Sequence, residues 1–354
     1  MDELSAEALD YPFDERHVAT TPAHPRDAAR LMVVDRAAGT VEHAHVRDLA
    51  RWLGAGDALV VNRSSVLRAR LRTDTTEGLL LEPMPDGTWR MLLRRAKRFA
   101  AGDRLPLVGP HGPAEGDAIE LVARDAEAWR VRIAAGSRGG DAAAVIERSG
   151  WTPLPPYILR SREGRNEECD DDADRAEYET VYADAARRGS VAAPTAGLHF
   201  TEGLLAALDA RGVRRAEVIL HVGAGTFRPV DAATLSAHPM HTEHFEVPPA
   251  TAAMLAGCPR PRIVAVGTTT VRALESLPDP VPAEGACGET SILIAPGHRF
   301  RNVDAMLTNF HLPRSTLLAL VGAFTGLDRL KELYALAQRE GYRFYSFGDA
   351  MLVL

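Results

Sequence analysis

The sequence has 354 residues, of which 46% are hydrophobic and 25% charged, and its formal net charge is −7. No run approaches the roughly 18 apolar residues that a membrane span requires. Its three cysteines are too few for a disulfide scaffold, and its acidic first residues do not match a secretory signal. We therefore expect a monomeric, cytoplasmic globular protein with two domains, or with one domain and an insertion, and no membrane association.

Charge is unevenly distributed along the chain. Residues 62–104 contain ten basic and five acidic residues, although the whole chain is acidic. A basic segment of this kind is typical either of a phosphate-binding surface or of a solvated strand face. Residues 163–179 are strongly acidic and are predicted to form a solvated loop.

The predicted elements of the first half are mostly strands. A short helix is predicted over 45–53 and a buried strand over 57–61. Apolar runs on either side of Pro85-Asp86-Gly87 predict a hairpin, and a second strand pair flanks residues 125–127. We expect a small inserted β domain, barrel-like, over residues 63–145.

The second half alternates between strands and helices. Thr201 and Ser315 are predicted to begin helices, and strands are predicted over 214–222, 262–267, 291–295 and 305–308. Gly326 is expected to end the helix that begins at Ser315, and a helix is predicted over 328–340. This alternation favours an α/β main domain, over 1–62 and 146–354, built on a mostly parallel sheet or barrel.

Polar clusters follow several of these strands, where α/β proteins place their sites. Thr195 and His199 lie in a run of small residues, and His221 ends an apolar strand before a Gly-x-Gly turn. Because no third glycine follows at dinucleotide spacing, a dinucleotide-binding fold is not indicated. Asn309 and His311 follow a later strand.

Residues 240–246 alternate histidines with carboxylates. In a strand, His241 and Glu243 share one face, whereas His244 and Glu246 share the other. Two interpretations remain open, namely a divalent metal site or a general base with a hydrogen-bond acceptor for sugar hydroxyls.

Residues 267–272 form the last cluster. A strand, Gly267, the three hydroxyls of Thr268, Thr269 and Thr270, and a helix start together predict an anion pocket made by free backbone N–H groups. Arg272, on the first turn, is expected to add a contact to a carboxylate.

Several long segments of the sequence resemble one protein family. They are GSVAAPTAGLHFTE (189–202), LHVGAGTFRPV (220–230), VGTTTVRALES (266–276), TNFHLPRSTLLALV (308–321) and YRFYSFGDAM (342–351). In this order they resemble the S-adenosylmethionine:tRNA ribosyltransferase-isomerase (QueA) family of queuosine biosynthesis. The resemblance extends almost from one end of the chain to the other.

The resemblance implies a reaction and a fold. The ribosyl group of S-adenosylmethionine, a co-substrate used without a further cofactor, is transferred and isomerised onto the aminomethyl group of a 7-deazaguanine in tRNA. Epoxyqueuosine-tRNA, adenine and methionine are the products. The implied fold is a discontinuous α/β barrel-like main domain with a β domain inserted near its N-terminal side.

The chemistry of the implied reaction suggests roles for the clustered residues. His199, His221 and Glu243 are candidate bases for the carbon beside sulfur, and His241 or Glu246 is a candidate acid. Glu275, Phe227 or Tyr345 is expected to face the sulfonium, and Thr268, Thr269, Thr270 and Arg272 the methionine carboxylate. Substrate contacts are also expected from Thr195, Asn309 and His311. The expected RNA contacts are Arg94, Arg95, Lys97, Arg98 and Arg160.

The sequence departs from the family pattern mainly in its first half. Ser64-Ser65 stands where the family has Thr-Arg, and Glu179 stands where the family has Gln. A relative that uses a small-molecule acceptor is therefore an alternative. A metal-dependent hydrolase and a non-catalytic RNA-binding protein are the other two.

Overall fold

The computed structural model describes residues 4–125, 127–223, 225 and 229–354. Its strands, in chain order, are β1 (Arg30–Asp35), β2 (Thr40–His45), β3 (Asp57–Asn62), β4 (Ser65–Val66), β5 (Arg70–Arg72), β6 (Glu77–Pro83), β7 (Trp89–Leu93), β8 (Arg104–Gly109), β9 (Gly112–Arg124), β10 (Trp129–Ala134), β11 (Arg188–Ser190), β12 (Arg214–Leu220), β13 (Glu243–Val247), β14 (Arg262–Val266), β15 (Ala286–Thr290), β16 (Ala305–Asn309) and β17 (Ala350–Val353). Its α-helices are α1 (Ala142–Ser149), α2 (Pro156–Arg165), α3 (Asp171–Glu177), α4 (Glu202–Ala210), α5 (Pro249–Ala256), α6 (Thr268–Glu275), α7 (Thr316–Thr325) and α8 (Leu327–Arg339).

A large mixed sheet forms the main domain. Its strand order is β15-β13-β12-β3-β14-β16-β17-β1-β2. The four strands β12, β3, β14 and β16 are parallel neighbours. Every residue of β3 is buried, as expected of a central strand that is covered on both faces.

The two faces of the large sheet bury separate groups of side chains. Val60, Val218 and Met306 belong to the larger core, whereas Leu59 and Leu307 belong to the second core on the opposite face. Because successive strand residues point to opposite faces, each parallel strand contributes to both cores.

The inserted β domain is a six-stranded antiparallel sheet in the order β5-β6-β7-β10-β9-β8. A bridge between Thr73 and Leu107 joins its two edges, so the sheet nearly closes into a barrel. Leu80, Ile119 and Val131 are completely buried inside it. The α/β class with an inserted barrel-like β domain is thus the fold that the sequence predicts.

The domain limits at 63 and 145 stay a prediction. All six barrel strands lie between them. Helix α1 extends beyond residue 145 and packs Val145 and Ile146 into the barrel core.

Helix ends follow the predicted capping residues. The Thr201 hydroxyl accepts a hydrogen bond from the Leu204 amide, and the Ser315 hydroxyl accepts one from the Leu318 amide. Helix α7 ends at Gly326, whose φ of +84° is costly for any residue with a Cβ atom.

Three predicted elements differ from the structure. Residues 45–53 contain a 3-10 helix at Val46–Arg51. The strand predicted over 291–295 is wrong, because that segment packs Ile294 into the core without pairing while β15 precedes it. The acidic segment predicted as a loop contains α3, which buries Asp174 against Arg162 at 2.7 Å.

Candidate active site

The carboxyl ends of four neighbouring parallel strands meet at one edge of the large sheet. Asn62 ends β3, His221 follows β12, Gly267 follows β14 and Asn309 ends β16. Side chains at the carboxyl ends of parallel strands converge outside the sheet. Chain positions as far apart as 62 and 309 therefore share one region.

A narrow pocket lies at this edge, with a cavity volume of about 40 Å³. That volume holds only a few atoms and suits the polar end of a larger ligand. Predicted site residues that line it are Thr195, Thr268, Thr269, Asn309, His311 and Tyr345. The structure thus brings together residues from four separate parts of the sequence.

One wall of the pocket is a chain of hydrogen bonds. The Thr195 hydroxyl donates to Asn309 Oδ1 at 3.0 Å, and Asn309 Nδ2 donates to the Tyr345 carbonyl at 3.1 Å. Tyr345 is held at a φ of +70°, a conformation that non-glycine residues rarely adopt. The hydrogen bond from Asn309 helps to hold Tyr345 in this conformation.

The start of α6 forms the opposite wall. Gly267 precedes the helix and offers no side chain to its first-turn N–H groups, so these donors remain available. The Thr269 side chain is 7% exposed, and its hydroxyl has no hydrogen-bond partner within the described residues. A buried hydroxyl beside free amides is a site for an anionic or carbonyl oxygen.

His311 belongs to the pocket as a neutral imidazole. Its Nε2 lies 2.8 Å from the Thr308 hydroxyl, and burial lowers the pKa of His311 to about 3. This ring can exchange hydrogen bonds with a ligand but carries no charge near neutral pH.

Three residues that were predicted to contact the anion or the sulfonium lie outside the narrow pocket. The Thr270 hydroxyl donates to the carbonyl of Val266, the last residue of β14. Arg272 forms a buried ion pair with Glu243 through Nη1, whereas its Nε and Nη2 have no hydrogen-bond partner among the described residues. Glu275 accepts hydrogen bonds from the amides of Arg301 and Asn302, so its carboxylate holds that loop.

Glu243 is a structural anchor in this arrangement. Besides its contact with Arg272, it accepts the Gly223 amide at 3.0 Å, and the residue is 4% exposed. Its carboxylate therefore fixes the turn that follows His221, which differs from the predicted role as a free base.

His199 is also removed from ligand contact. Its Nδ1 and Nε2 each lie 3.0 Å from a backbone carbonyl, those of Ala196 and Gly348. Burial lowers the pKa of His199, and the ring lies in the interior. Each ring nitrogen thus faces a backbone carbonyl, and the candidate role of His199 as catalytic base stays a prediction.

His221 lies on a second, much larger cavity. This cleft, of about 1820 Å³, is lined by barrel residues on one side and by main-domain residues on the other. Val222 lines both the cleft and the narrow pocket, so the two cavities adjoin beside His221. The structure gives His221 Nδ1 no hydrogen-bond partner among the described residues, and burial lowers the pKa of His221, with His244 adding to the effect.

The other histidines of this region lie on the same cleft. His244 stacks on His221 with ring centroids 6.3 Å apart. His241 precedes β13 rather than sharing a strand face with Glu243, and it is exposed. Its ring approaches Gly225 so closely that a Cβ atom there would overlap it. Glu246 pairs with Arg187 at 2.8 Å, so its carboxylate is already engaged.

These positions do not form a metal site. Within the described part of the chain, no three His, Cys, Asp or Glu side chains converge as ligands. Glu243 points to Arg272, and His241 lies outside the strand. This arrangement does not support the metal-dependent hydrolase.

The predicted RNA contacts divide into two groups. Arg94, Arg95 and Arg160 line the cleft, whereas Lys97 and Arg98 are exposed on a 3-10 turn outside its lining. Phe227, a predicted sulfonium contact, lies outside the described residues.

The two departures from the family pattern contact each other. The Ser65 hydroxyl donates to Glu179 Oε2 at 2.9 Å, and the Val66 amide donates to the same oxygen at 3.2 Å. Burial raises the pKa of Glu179. Ser65 lies in β4, where the chain leaves the large sheet for the barrel, so the changed pair lies at the junction of the two domains.

Several residues of the narrow pocket were not predicted from the sequence. Tyr157 and Ser346 line the pocket, and their hydroxyls are 2.5 Å apart. Ser346 lies in YRFYSFGDAM, and Tyr157 lies in LPPYI (154–158), a further segment that resembles the family. That position was the available signal, because neither residue stands at a strand end.

Comparisons with known proteins find relatives along almost the whole chain. A family model described as "Queuosine biosynthesis protein" matches residues 6–353. A Moorella thermoacetica protein named S-adenosylmethionine:tRNA ribosyltransferase-isomerase is 44% identical, covering 99% of this chain and 100% of its own. A Gluconacetobacter diazotrophicus protein of the same name is 46% identical, with 98% and 96% covered.

A solved structure is similar over the same length. The crystal structure of an S-adenosylmethionine tRNA ribosyltransferase from Thermotoga maritima aligns with a TM-score of 0.53 and 34% identity, covering 98% of this chain and 100% of its own. In the described residues no helix is both long and apolar enough to cross a membrane. The chain belongs to the family of queuosine biosynthesis proteins.

Proposed function

We propose that the protein is an S-adenosylmethionine-dependent ribosyltransferase-isomerase that acts on tRNA. One observation carries the proposal: the narrow pocket adjoins a large arginine-lined cleft at Val222, next to His221. A transferase that joins a small donor to a large acceptor needs two such cavities with a shared boundary.

The narrow pocket suits the amino-acid end of the donor. The α6 N–H groups and the Thr269 hydroxyl offer donors to the methionine carboxylate, and Asn309 and Thr195 offer further polar contacts. Because the pocket volume is only about 40 Å³, the nucleoside extends toward the cleft. Its sulfonium then lies near Tyr345, an aromatic residue that lines the pocket.

His221 is the base that we assign to the reaction. The sulfonium acidifies the adjoining C5′ hydrogens, and a neutral imidazole takes one of them as a proton. The aminomethyl nitrogen then bonds to the ribosyl group. This new bond replaces the C4′–O4′ bond. C5′ then bonds to C1′ as the C1′–N9 bond breaks, and the released adenine takes up a proton. O4′ displaces methionine from C5′, which forms the epoxide of the ribosyl-derived group that stays on the tRNA.

The cleft suits tRNA better than a small amine. Its volume of about 1820 Å³ and its arginines on both walls match a charged macromolecule. The relatives that are 44% and 46% identical also have tRNA in their names. An activity on tRNA places the protein in the cytoplasm.

Product analysis tests the proposal. The protein is incubated with S-adenosylmethionine alone, with tRNA that carries the aminomethyl-deazaguanine, and with the free base. We expect equal amounts of adenine and methionine only with that tRNA. Release with the free base alone would favour the small-molecule alternative, and tRNA binding without release would favour the non-catalytic one.

A further inference from the structure

Six arginines line the large cleft, and they are not electrostatically equal. Arg70 and Arg94 both contact Glu77, at 2.6 and 3.1 Å, and Arg90 contacts Glu82 at 2.8 Å. Their charges are thus largely offset by neighbouring carboxylates. The other three, Arg72, Arg95 and Arg160, have no carboxylate partner within the described residues.

The register of the barrel explains why Arg72 is unpaired. Arg72 lies opposite Glu77 across the β5–β6 pair, which would ordinarily favour an ion pair. The Glu77 carboxylate is already shared by Arg70 and Arg94. One carboxylate thus serves two guanidinium groups, and the charge of Arg72 remains uncompensated.

An aromatic ring holds Arg72 in place instead. Its guanidinium lies over the Trp151 ring, 4.4 Å from the centroid. The Trp151 indole is itself fixed, because Nε1 donates to the Val108 carbonyl at 2.8 Å and the Trp151 amide donates to the Arg70 carbonyl at 2.8 Å. A cation–π contact orients the guanidinium plane without neutralising its charge or using its N–H donors.

We propose that Arg72, positioned by Trp151, binds a backbone phosphate of the RNA substrate, and that Arg95 and Arg160 extend this phosphate-binding surface. This inference rests on the proposed function. Arg72 and Arg95 lie on the barrel wall, whereas Arg160 lies on α2 of the main domain. A bound RNA strand would therefore contact both domains, with its bases directed toward His221.

The test measures binding of full-length protein to tRNA with the aminomethyl-deazaguanine over a range of salt concentrations. We expect Arg72→Ala to weaken binding by about 5- to 10-fold at 0.1 M salt and to lower the slope of log K against log salt by about 0.7–0.9, as one lost phosphate contact should. The matched control, Arg90→Ala, removes an ion-paired arginine of the same cleft and should change affinity by less than about twofold.

Trp151 variants separate positioning from charge. Trp151→Ala should weaken binding by about 2- to 4-fold while the salt slope is retained, because the charge remains but is no longer oriented. Trp151→Phe should restore most of the affinity, since a phenyl ring also holds a guanidinium.

The possible failures are distinguishable. If the wild-type protein binds this tRNA and Arg72→Ala binds it with unchanged affinity and slope, or if Arg90→Ala has an equal effect, the assignment of Arg72 is overturned. If the wild-type protein itself does not bind the tRNA, the proposed function fails.

Discussion

The hydroxyl of Thr269 has no hydrogen-bond partner in the part of the chain that the structure describes, and this makes it a selective probe of the narrow pocket. Thr269→Val keeps the side-chain volume and removes only the donor. We expect KM for S-adenosylmethionine to rise by about 3- to 10-fold with little change in kcat or thermal stability, as the loss of one ligand hydrogen bond predicts. Steady-state adenine release measures both constants.

Thr270→Val is the matched control for this prediction. The Thr270 hydroxyl donates to the Val266 carbonyl and lies outside the pocket. Its replacement should leave KM unchanged. Equal KM values for Thr269→Val and the wild type would show that the donor does not contact this hydroxyl.

The proposed role of His221 as catalytic base predicts a pH-dependent rate. Burial lowers the pKa of His221 below its usual value of about 6.5. The base therefore stays unprotonated as the pH falls to about 6.5, and kcat declines only below that pH, where protonation removes it. A kcat–pH profile measures this decline, and one centred above pH 7 would contradict the assignment.

Replacement of the ring tests the same group. His221→Gln should lower kcat by about 10²- to 10⁴-fold, the usual contribution of a general base. His244→Gln, which removes only the stacked and exposed neighbour, should lower kcat far less. Similar losses in both variants would argue for a structural role of the pair.

At the scale of elements, the junction between β4 and the 178–180 segment depends on Glu179. Burial raises the pKa of Glu179 above its unfolded value, so the folded state binds the proton more tightly. Stability therefore falls as the pH rises from the unfolded pKa through the folded pKa. Glu179→Gln should raise the free energy of unfolding by about 0.5–1 kcal/mol at pH 8 and by less at pH 4.5.

Urea unfolding at the two pH values measures this effect. Ser65→Ala serves as the control, because it removes one hydrogen bond to Glu179 Oε2 without removing the buried charge. A Glu179→Gln variant that is less stable than the wild type at pH 8 would show that neighbouring cations compensate the carboxylate.

The sequence predicts elements whose signals are local. The caps at Thr201 and Ser315 and the alternating strands of the barrel depend on residues within a few positions of one another. Apolar residues at 291–295 predicted a strand wrongly, because burial of Ile294 requires a core contact but no pairing.

Partners across long chain separations were not predictable from the sequence. Arg272 and Glu275 were expected to face the substrate, but Arg272 pairs with Glu243, which is 29 positions away. Glu275 binds the amides of residues 301 and 302. A guanidinium or a carboxylate at a strand end can meet a ligand or another side chain, and only the tertiary arrangement decides between them. The strand-end rule nevertheless located Thr195, Thr269 and Asn309 correctly at one pocket.

For the whole molecule, the inserted barrel completes the cleft that we propose for the acceptor. The large sheet supplies the narrow pocket at its carboxyl edge, and the barrel supplies the opposite wall of the cleft. Since His221 stands where the two cavities adjoin, donor and acceptor meet only when both domains contribute. The central claim is that His221 removes a hydrogen from the donor carbon beside sulfur at this boundary.

Mass spectrometry of the modified tRNA nucleoside tests this claim most directly. The reaction is run with S-adenosylmethionine that carries two deuterium atoms at C5′. We predict a product that retains one deuterium, and no product from His221→Gln within the same time. A product that keeps both deuterium atoms, or undiminished product from His221→Gln, would contradict it.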